Sequence, residues 1–162
     1  MTSSERDSRI GPGQGPLRVV IAGIGLVGKR HAEAISRVDR VRLAAIVDPS
    51  AAARAYARSK NLPWYDSLAK MFDIEHPDGV ILATPTPLHV EQGLECVHRG
   101  VPVLVEKPIA TTAEDARSLV NASETAGVPL LVGHHRRHNP LIRKAHEMIG
   151  DGLIGEVRAV HA

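Results

Sequence analysis

Short runs of branched apolar residues alternate in this chain with longer stretches whose apolar residues recur every three or four positions. That is the rhythm of buried strands, each followed by a covering helix. The first run, residues 18–23, reads Arg-Val-Val-Ile-Ala-Gly and is made mostly of branched apolar residues, as suits a buried parallel strand. Val27, Gly28, His31, Ala32, Ile35 and Val38 then fall on one face of a predicted helix. A second strand is predicted over 42–47, an alanine- and arginine-rich helix over 50–60, and a short third strand over 63–65. Asp66 can cap a short helix running through Phe72, with Leu68, Met71 and Phe72 inward. Residues 80–83 and 101–105 give two further strands around a helix over 88–99 that Gly100 stops. Thr111-x-x-Glu114 has the form of a capping box opening a helix that Gly127 closes, and 128–133 makes a sixth strand. Beyond it, 140–150 is amphipathic, with Leu141, Ile142, Ala145, Met148 and Ile149 on one side, and 156–161 alternates like a strand.

Strands alternating with helices predict an α/β, doubly wound parallel sheet of about six strands, ordered 3-2-1-4-5-6 if it is of the dinucleotide-binding (Rossmann) type. The 162 residues suffice for one ordinary domain. Residues 1–16, polar and rich in Gly, Ser and Pro, are expected to be a disordered tail. The dinucleotide-binding domain is expected over 17–138. Residues 139–162 read as a linker helix and the first strand of a truncated C-terminal domain.

The chemistry concentrates at Gly23-Ile24-Gly25-Leu26-Val27-Gly28, where the first strand runs into a glycine-spaced turn and the turn opens a helix. Gly23 would permit the tight turn, Gly25 the approach of a pyrophosphate, and Gly28 close packing of helix on strand, with Leu26 and Val27 in the helix's first turn. The second strand ends in Asp48, where such a fold places the acid that takes the ribose hydroxyls; a plain helix cap before Pro49 is the other role open to it. No arginine adjoins Asp48 to hold a 2′-phosphate, which favours NAD over NADP. Thr84, Pro85 and Thr86 follow the fourth strand, at the carboxyl edge where an open parallel sheet binds its ligand, and should line the dinucleotide. His89, heading the next helix, is placed to touch the same region, and a capping or surface role fits it equally.

Composition narrows the field. A net charge of +2 with basic residues scattered among acidic ones, and only 2% aromatic residues, gives neither a nucleic-acid footprint nor an anionic-membrane patch. One cysteine, Cys96, excludes an internal disulfide and a thiolate cluster, which fits a reduced, cytoplasmic setting; it reads as a small core residue. No apolar run is long enough to span a bilayer. His134, His135 and His138 lack the paired helical spacing with an acidic partner that a zinc site uses, so no metal is expected.

With these motifs in order, the sequence resembles the glucose-fructose oxidoreductase / inositol dehydrogenase / MocA family of nicotinamide-dependent sugar and polyol oxidoreductases. The likeness rests on GIGLVGKRHAEAI at 23–35, VDPS at 47–50, ATPTPLHVEQ at 83–92, VLVEKPIA at 103–110, GHHRRHNP at 133–140 and IGEV at 154–157. The resemblance implies hydride transfer between a nicotinamide and a sugar or polyol carbon bearing a hydroxyl, in a protein whose second domain supplies much of the substrate pocket, a His acid/base and most contacts of a homo-oligomer. It implies that Lys107 lies beside the nicotinamide and bonds the reacting hydroxyl, that Glu106 holds the turn, and that Arg136 or Arg137 holds cofactor or an interdomain carboxylate, against a solvent-facing salt bridge. The other readings open at this point are a catalytically inactive nucleotide-binding fragment and a sensor or partner-binding module.

Overall fold

A computed structural model describes residues 15–160, so all of the predicted tail but Gly15 and Pro16 lies outside the described residues. Six strands form one parallel sheet: β1 (Leu17–Ala22), β2 (Val41–Val47), β3 (Trp64–Tyr65), β4 (Gly79–Leu82), β5 (Val103–Val105) and β6 (Leu130–Val132). Their spatial order is β3-β2-β1-β4-β5-β6, so the winding reverses between β1 and β4 and opens a crevice beyond the carboxyl ends of those two strands. The helices are α1 (Leu26–Ile35), α2 (Ala51–Ser59), α3 (Leu68–Phe72), α4 (His89–His98), α5 (Ala113–Ala126) and α6 (Pro140–Gly150).

Alternation along the strands makes two cores. Ile21 and Ile46 point to one face and meet Ala32 of α1 and Ala53 and Ala57 of α2. Val20, Ala22, Val47, Val80, Leu82, Val103 and Val105 point to the other and meet α3, α4 and α5 through Leu68, Met71, Phe72, Val97 and Leu119. Over β1, β2 and β4 both faces are covered, which is why these strands read as continuous apolar runs rather than alternating ones, whereas Leu131 of β6 is exposed. The register between β1 and β2 breaks once, at Val19/Val20, where Ala44 is the extra residue; Ala44 and Ala45 both join the second core.

Several boundaries move by a residue or two for local reasons. The cap of α3 is Ser67, whose hydroxyl accepts from the Lys70 amide, while Asp66 instead takes the Lys70 ammonium at 2.6 Å. The cap of α5 is Thr112, not Thr111: its Oγ1 accepts from the Asp115 amide at 3.1 Å and donates to Asp115 Oδ2 at 2.8 Å. β5 begins at Val103 because Pro102 has no N–H and the Val101 amide turns back to the Cys96 carbonyl at 2.9 Å. A 3-10 turn, Thr86–Leu88, precedes α4.

The chain divides into two compact units, the first ending at Val132 and the second starting at Gly133. The second unit contains a 3-10 turn, His135–His138, and α6, whose cap Asn139 accepts from the Leu141 amide at 2.9 Å. The strand predicted over 156–161 does not form: residues 156–160 carry no strand, and His161 lies outside the described residues. A lone strand leaves its N–H and C=O groups without a ladder, and no described segment pairs with this one. No helix among the described residues is long and apolar enough to cross a membrane.

Candidate functional site

The turn after β1 is shaped by what its glycines lack. Gly23 has a φ of +84°, and a Cβ there would also lie 2.6 Å from the Ala83 carbonyl at the end of β4. A Cβ on Gly28 would lie 2.0 Å from the Gly23 carbonyl, so α1 can sit this close to the turn only with hydrogen at that position. Gly25 differs: its φ is −67°, open to any residue, and a Cβ there would meet nothing within 4 Å. Gly25 is the cap residue of α1 and provides no side-chain acceptor, whereas α2, α3 and α5 are capped by Ser50, Ser67 and Thr112. The amides of the first turn of α1, at Leu26 and Val27, therefore point outward without a protein cap, and the Leu26 and Val27 side chains are 69% and 38% exposed.

Asp48 closes the other side of the turn. Its Oδ2 accepts from the Ile24 amide at 3.0 Å and its Oδ1 from the Ser50 amide at 2.9 Å. Burial pushes the carboxyl up, but hydrogen bonds from the Ser50 side chain and from the Ile24 and Ser50 amides outweigh it, so the group lies below the usual carboxylate range. Asp48 is not the cap of α2; Ser50 is, accepting from the Ala53 amide at 3.2 Å. A carboxylate holding two amides still has lone pairs for further donors.

Gly23, Gly25, Asp48, Thr84 and Pro85 line one cavity of about 740 Å³, so five of the residues singled out in the sequence converge. Gln92 of α4 lines it too, its Oε1 accepting from Thr84 Oγ1 at 2.7 Å, a pairing between strand end and helix that the sequence does not announce. Thr86 sits in the 3-10 turn next to the cavity rather than in its wall. A separate groove of about 890 Å³ between α2 and residues 61–64 contains Arg54 and Arg58 and shares no wall residue with the first; the Arg54 guanidinium stacks 5.2 Å from the centroid of the Trp64 ring.

His89 departs from its predicted role. It is 1% exposed, and its ring nitrogens face two carbonyls: Nδ1 lies 2.9 Å from the Pro108 oxygen and Nε2 2.8 Å from the Thr84 oxygen. Both nitrogens are used inside the protein, so the ring offers nothing to a ligand, caps no helix and is not at the surface. It ties the loop after β4 to the turn after β5. In that turn the Lys107–Pro108 peptide is cis, and the Lys107 amide donates to Glu106 Oε2 at 3.2 Å. The Lys107 side chain is exposed, with no hydrogen bond or ion pair among the described residues. Glu106 reaches further than the local turn: His31 Nε2 lies 2.8 Å from its Oε1. The sequence did hold a signal for His31, a polar ring on the inward face of an otherwise apolar or small stripe.

In the second unit, Arg136 is exposed and lines a shallow concavity with His135, His138, Asn139 and Ile142. Neither Arg136 nor Arg137 makes an ion pair among the described residues, and no three His, Cys, Asp or Glu side chains there converge as metal ligands.

A doubly wound sheet with a glycine turn, an uncapped helix and an acid at its switch point defines a dinucleotide-binding domain. The NAD-binding Rossmann model of the glucose-fructose oxidoreductase / inositol dehydrogenase / MocA family matches residues 17–134, and the chain belongs to that oxidoreductase family. It is 34% identical over 143 residues to the rhizopine catabolism protein MocA of Rhizobium meliloti, covering 88% of this chain and 45% of that protein. It is 32% identical over 149 residues to inositol 2-dehydrogenase of Rhodococcus erythropolis, covering 90% of this chain and 43% of that one. Among solved structures, the WlbA dehydrogenase of Bordetella pertussis, crystallised with NADH and UDP-GlcNAcA, superposes with a TM-score of 0.82 at 33% identity, covering 86% of this chain and 43% of that chain. The chain thus spans less than half the length of these relatives.

Proposed function

We propose that this chain binds NAD with its pyrophosphate over Gly25 and the first turn of α1 and its adenosine ribose on Asp48, as the cofactor half of a sugar or polyol dehydrogenase. The observation that carries the reading is Gly25. At this helix start the chain has hydrogen where any side chain would fit without strain, next to amides that no side chain caps, in the wall of the Asp48 cavity. A glycine that neither the backbone nor the packing requires is accounted for by a ligand that must come close. Asp48, rather than an arginine, at the ribose position supports NAD over NADP, since the Arg54 guanidinium is stacked on Trp64. Bound NAD would supply the hydride acceptor. Lys107 would then donate a hydrogen bond to the substrate hydroxyl and stabilise the negative charge that develops on its oxygen as the carbon loses hydride. The longer relatives, two of them named as acting on an inositol or carrying NADH with a nucleotide sugar, support a polyol or sugar as substrate and a second domain as the source of the acid/base. The lone cysteine and the scattered charge support a reduced, cytoplasmic setting and partners that are small molecules and further copies of the chain rather than nucleic acid or membrane.

Calorimetric titration tests the cofactor assignment. NAD binds the unsubstituted chain. Asp48→Ala weakens it by about 1 to 3 kcal/mol, the worth of charge-assisted bonds to hydroxyls. Gly25→Val abolishes binding and leaves the circular dichroism spectrum unchanged. Full affinity in both variants would remove the pyrophosphate and ribose assignments together.

A further inference from the structure

The turn that carries Lys107 is anchored on either side, by the Glu106 amide on the Leu82 carbonyl and by the Pro108 carbonyl beside His89, but little fixes Lys107 itself. The lysine side chain is exposed, and the one hydrogen bond of its amide goes to the preceding residue's carboxylate. That carboxylate is anchored elsewhere. Glu106 Oε1 lies 2.8 Å from Nε2 of His31, 75 residues earlier in the chain. A carboxylate only accepts, so the ring nitrogen donates, and the Glu106 and His31 side chains are only 14% and 24% exposed. A charge-assisted bond of this length in a half-buried setting is among the stronger polar contacts, and it takes both carboxylate oxygens to complete the arrangement: Oε1 toward α1, Oε2 toward the Lys107 amide.

The place of His31 on α1 gives this contact its meaning. It stands six residues after Gly25, about 9 Å along the same helix at the ordinary rise per residue. The helix start beside the cavity and the lysine turn are thereby joined through one rigid element and one hydrogen bond. No other described side chain bonds to Glu106.

We propose that His31 is a positioning residue for Lys107: through Glu106 it fixes the lysine turn to the helix that begins at Gly25. The meaning of this position for hydride transfer rests on the NAD reading above, whereas the fixing itself is a property of the unliganded chain. The test uses both. Backbone NMR on the 162-residue chain follows amide hydrogen exchange at Lys107 and, for comparison, at Ile21 and Ile81 in the sheet. In His31→Leu the Lys107 amide exchanges at least about tenfold faster while the sheet amides are unchanged; His31→Gln, whose side-chain amide can donate to the same carboxylate, restores the slow rate. Unchanged exchange at Lys107 in His31→Leu overturns the proposal, as does a loss in His31→Gln equal to that in His31→Leu. The dimethylated amines of the five lysines, labelled with carbon-13, give a second readout during NADH titration. NADH shifts the Lys107 signal in the unsubstituted chain and shifts it less than half as far in His31→Leu. Absence of NADH binding to the unsubstituted chain would overturn the cofactor reading, and the exchange rates would still decide the role of His31.

Discussion

At Asp48 one carboxylate serves two ends, since it faces the cavity and also holds the amides of Ile24 and Ser50. Its position below the usual range means the charged form is favoured by folding, so its contribution to stability is present above the unfolded value near pH 4 and is lost as pH falls through the lower folded value. The stability difference between the unsubstituted chain and Asp48→Asn, measured by urea unfolding, is therefore expected to be larger at about pH 6 than at about pH 3. Cys96 behaves oppositely. Burial, helped by the Glu95 charge, pushes its thiol up to about 12, so a thiol reagent at about pH 8 should label it only in denaturant. Residues whose role is set by the backbone were legible in the sequence: Gly23 and Gly28 are dictated by a turn and a close approach within a few residues of themselves. The distant partners of His31 and His89 were not, because Glu106 and Pro108 lie 75 and 19 residues away; the inward place of His31 on α1 was visible, but what it meets was not.

The elements follow the apolar rhythm closely, and their ends follow hydrogen bonds that the rhythm does not carry. Thr111 and Thr112 are both competent caps by residue type, and Glu114 and Asp115 both competent partners; Thr112 takes the role because it is the extended residue immediately before the first helical one. Thr112→Ala is expected to cost about 1 kcal/mol in chemical denaturation and Thr111→Ala much less, a comparison that locates the helix start in solution. The same logic separates Ser67 from Asp66, where the acid is taken up by Lys70 instead. Over 156–160 the alternation states what a segment would do beside a neighbour, and the described residues provide no neighbour.

For the molecule as a whole, strand number could be read from the sequence because each apolar run was bounded by a glycine, a proline or a cap, and strand order because the glycine turn pointed to the dinucleotide-binding topology. The second unit is where the pattern points outward. Leu141, Ile142 and Ile149 of α6 are 79%, 53% and 44% exposed, an apolar face of the kind that seeks cover. The 162-residue chain is expected to self-associate through it. Light scattering should show mass rising with concentration, and Leu141→Asp with Ile142→Asp should return the chain to a monomer; a monomer without those substitutions would mean that the face is tolerated in water.

The reversal at the centre of the sheet also sets a timetable for synthesis. β1 is the first of the six described strands to leave the ribosome, yet one of its two neighbours, β4, lies far downstream; even the bond from the Arg18 amide to Asp78 spans 60 residues. At roughly 5 to 20 residues per second, several seconds pass between them. During that interval β1 and β2 can pair and collect α1 and α2, but Val20 and Ala22 have no strand beside them to complete the opposite core. The nascent chain is therefore a half-built sheet, sticky along the very edge where the crevice will later open, and it is at this stage that a folding helper has most to protect.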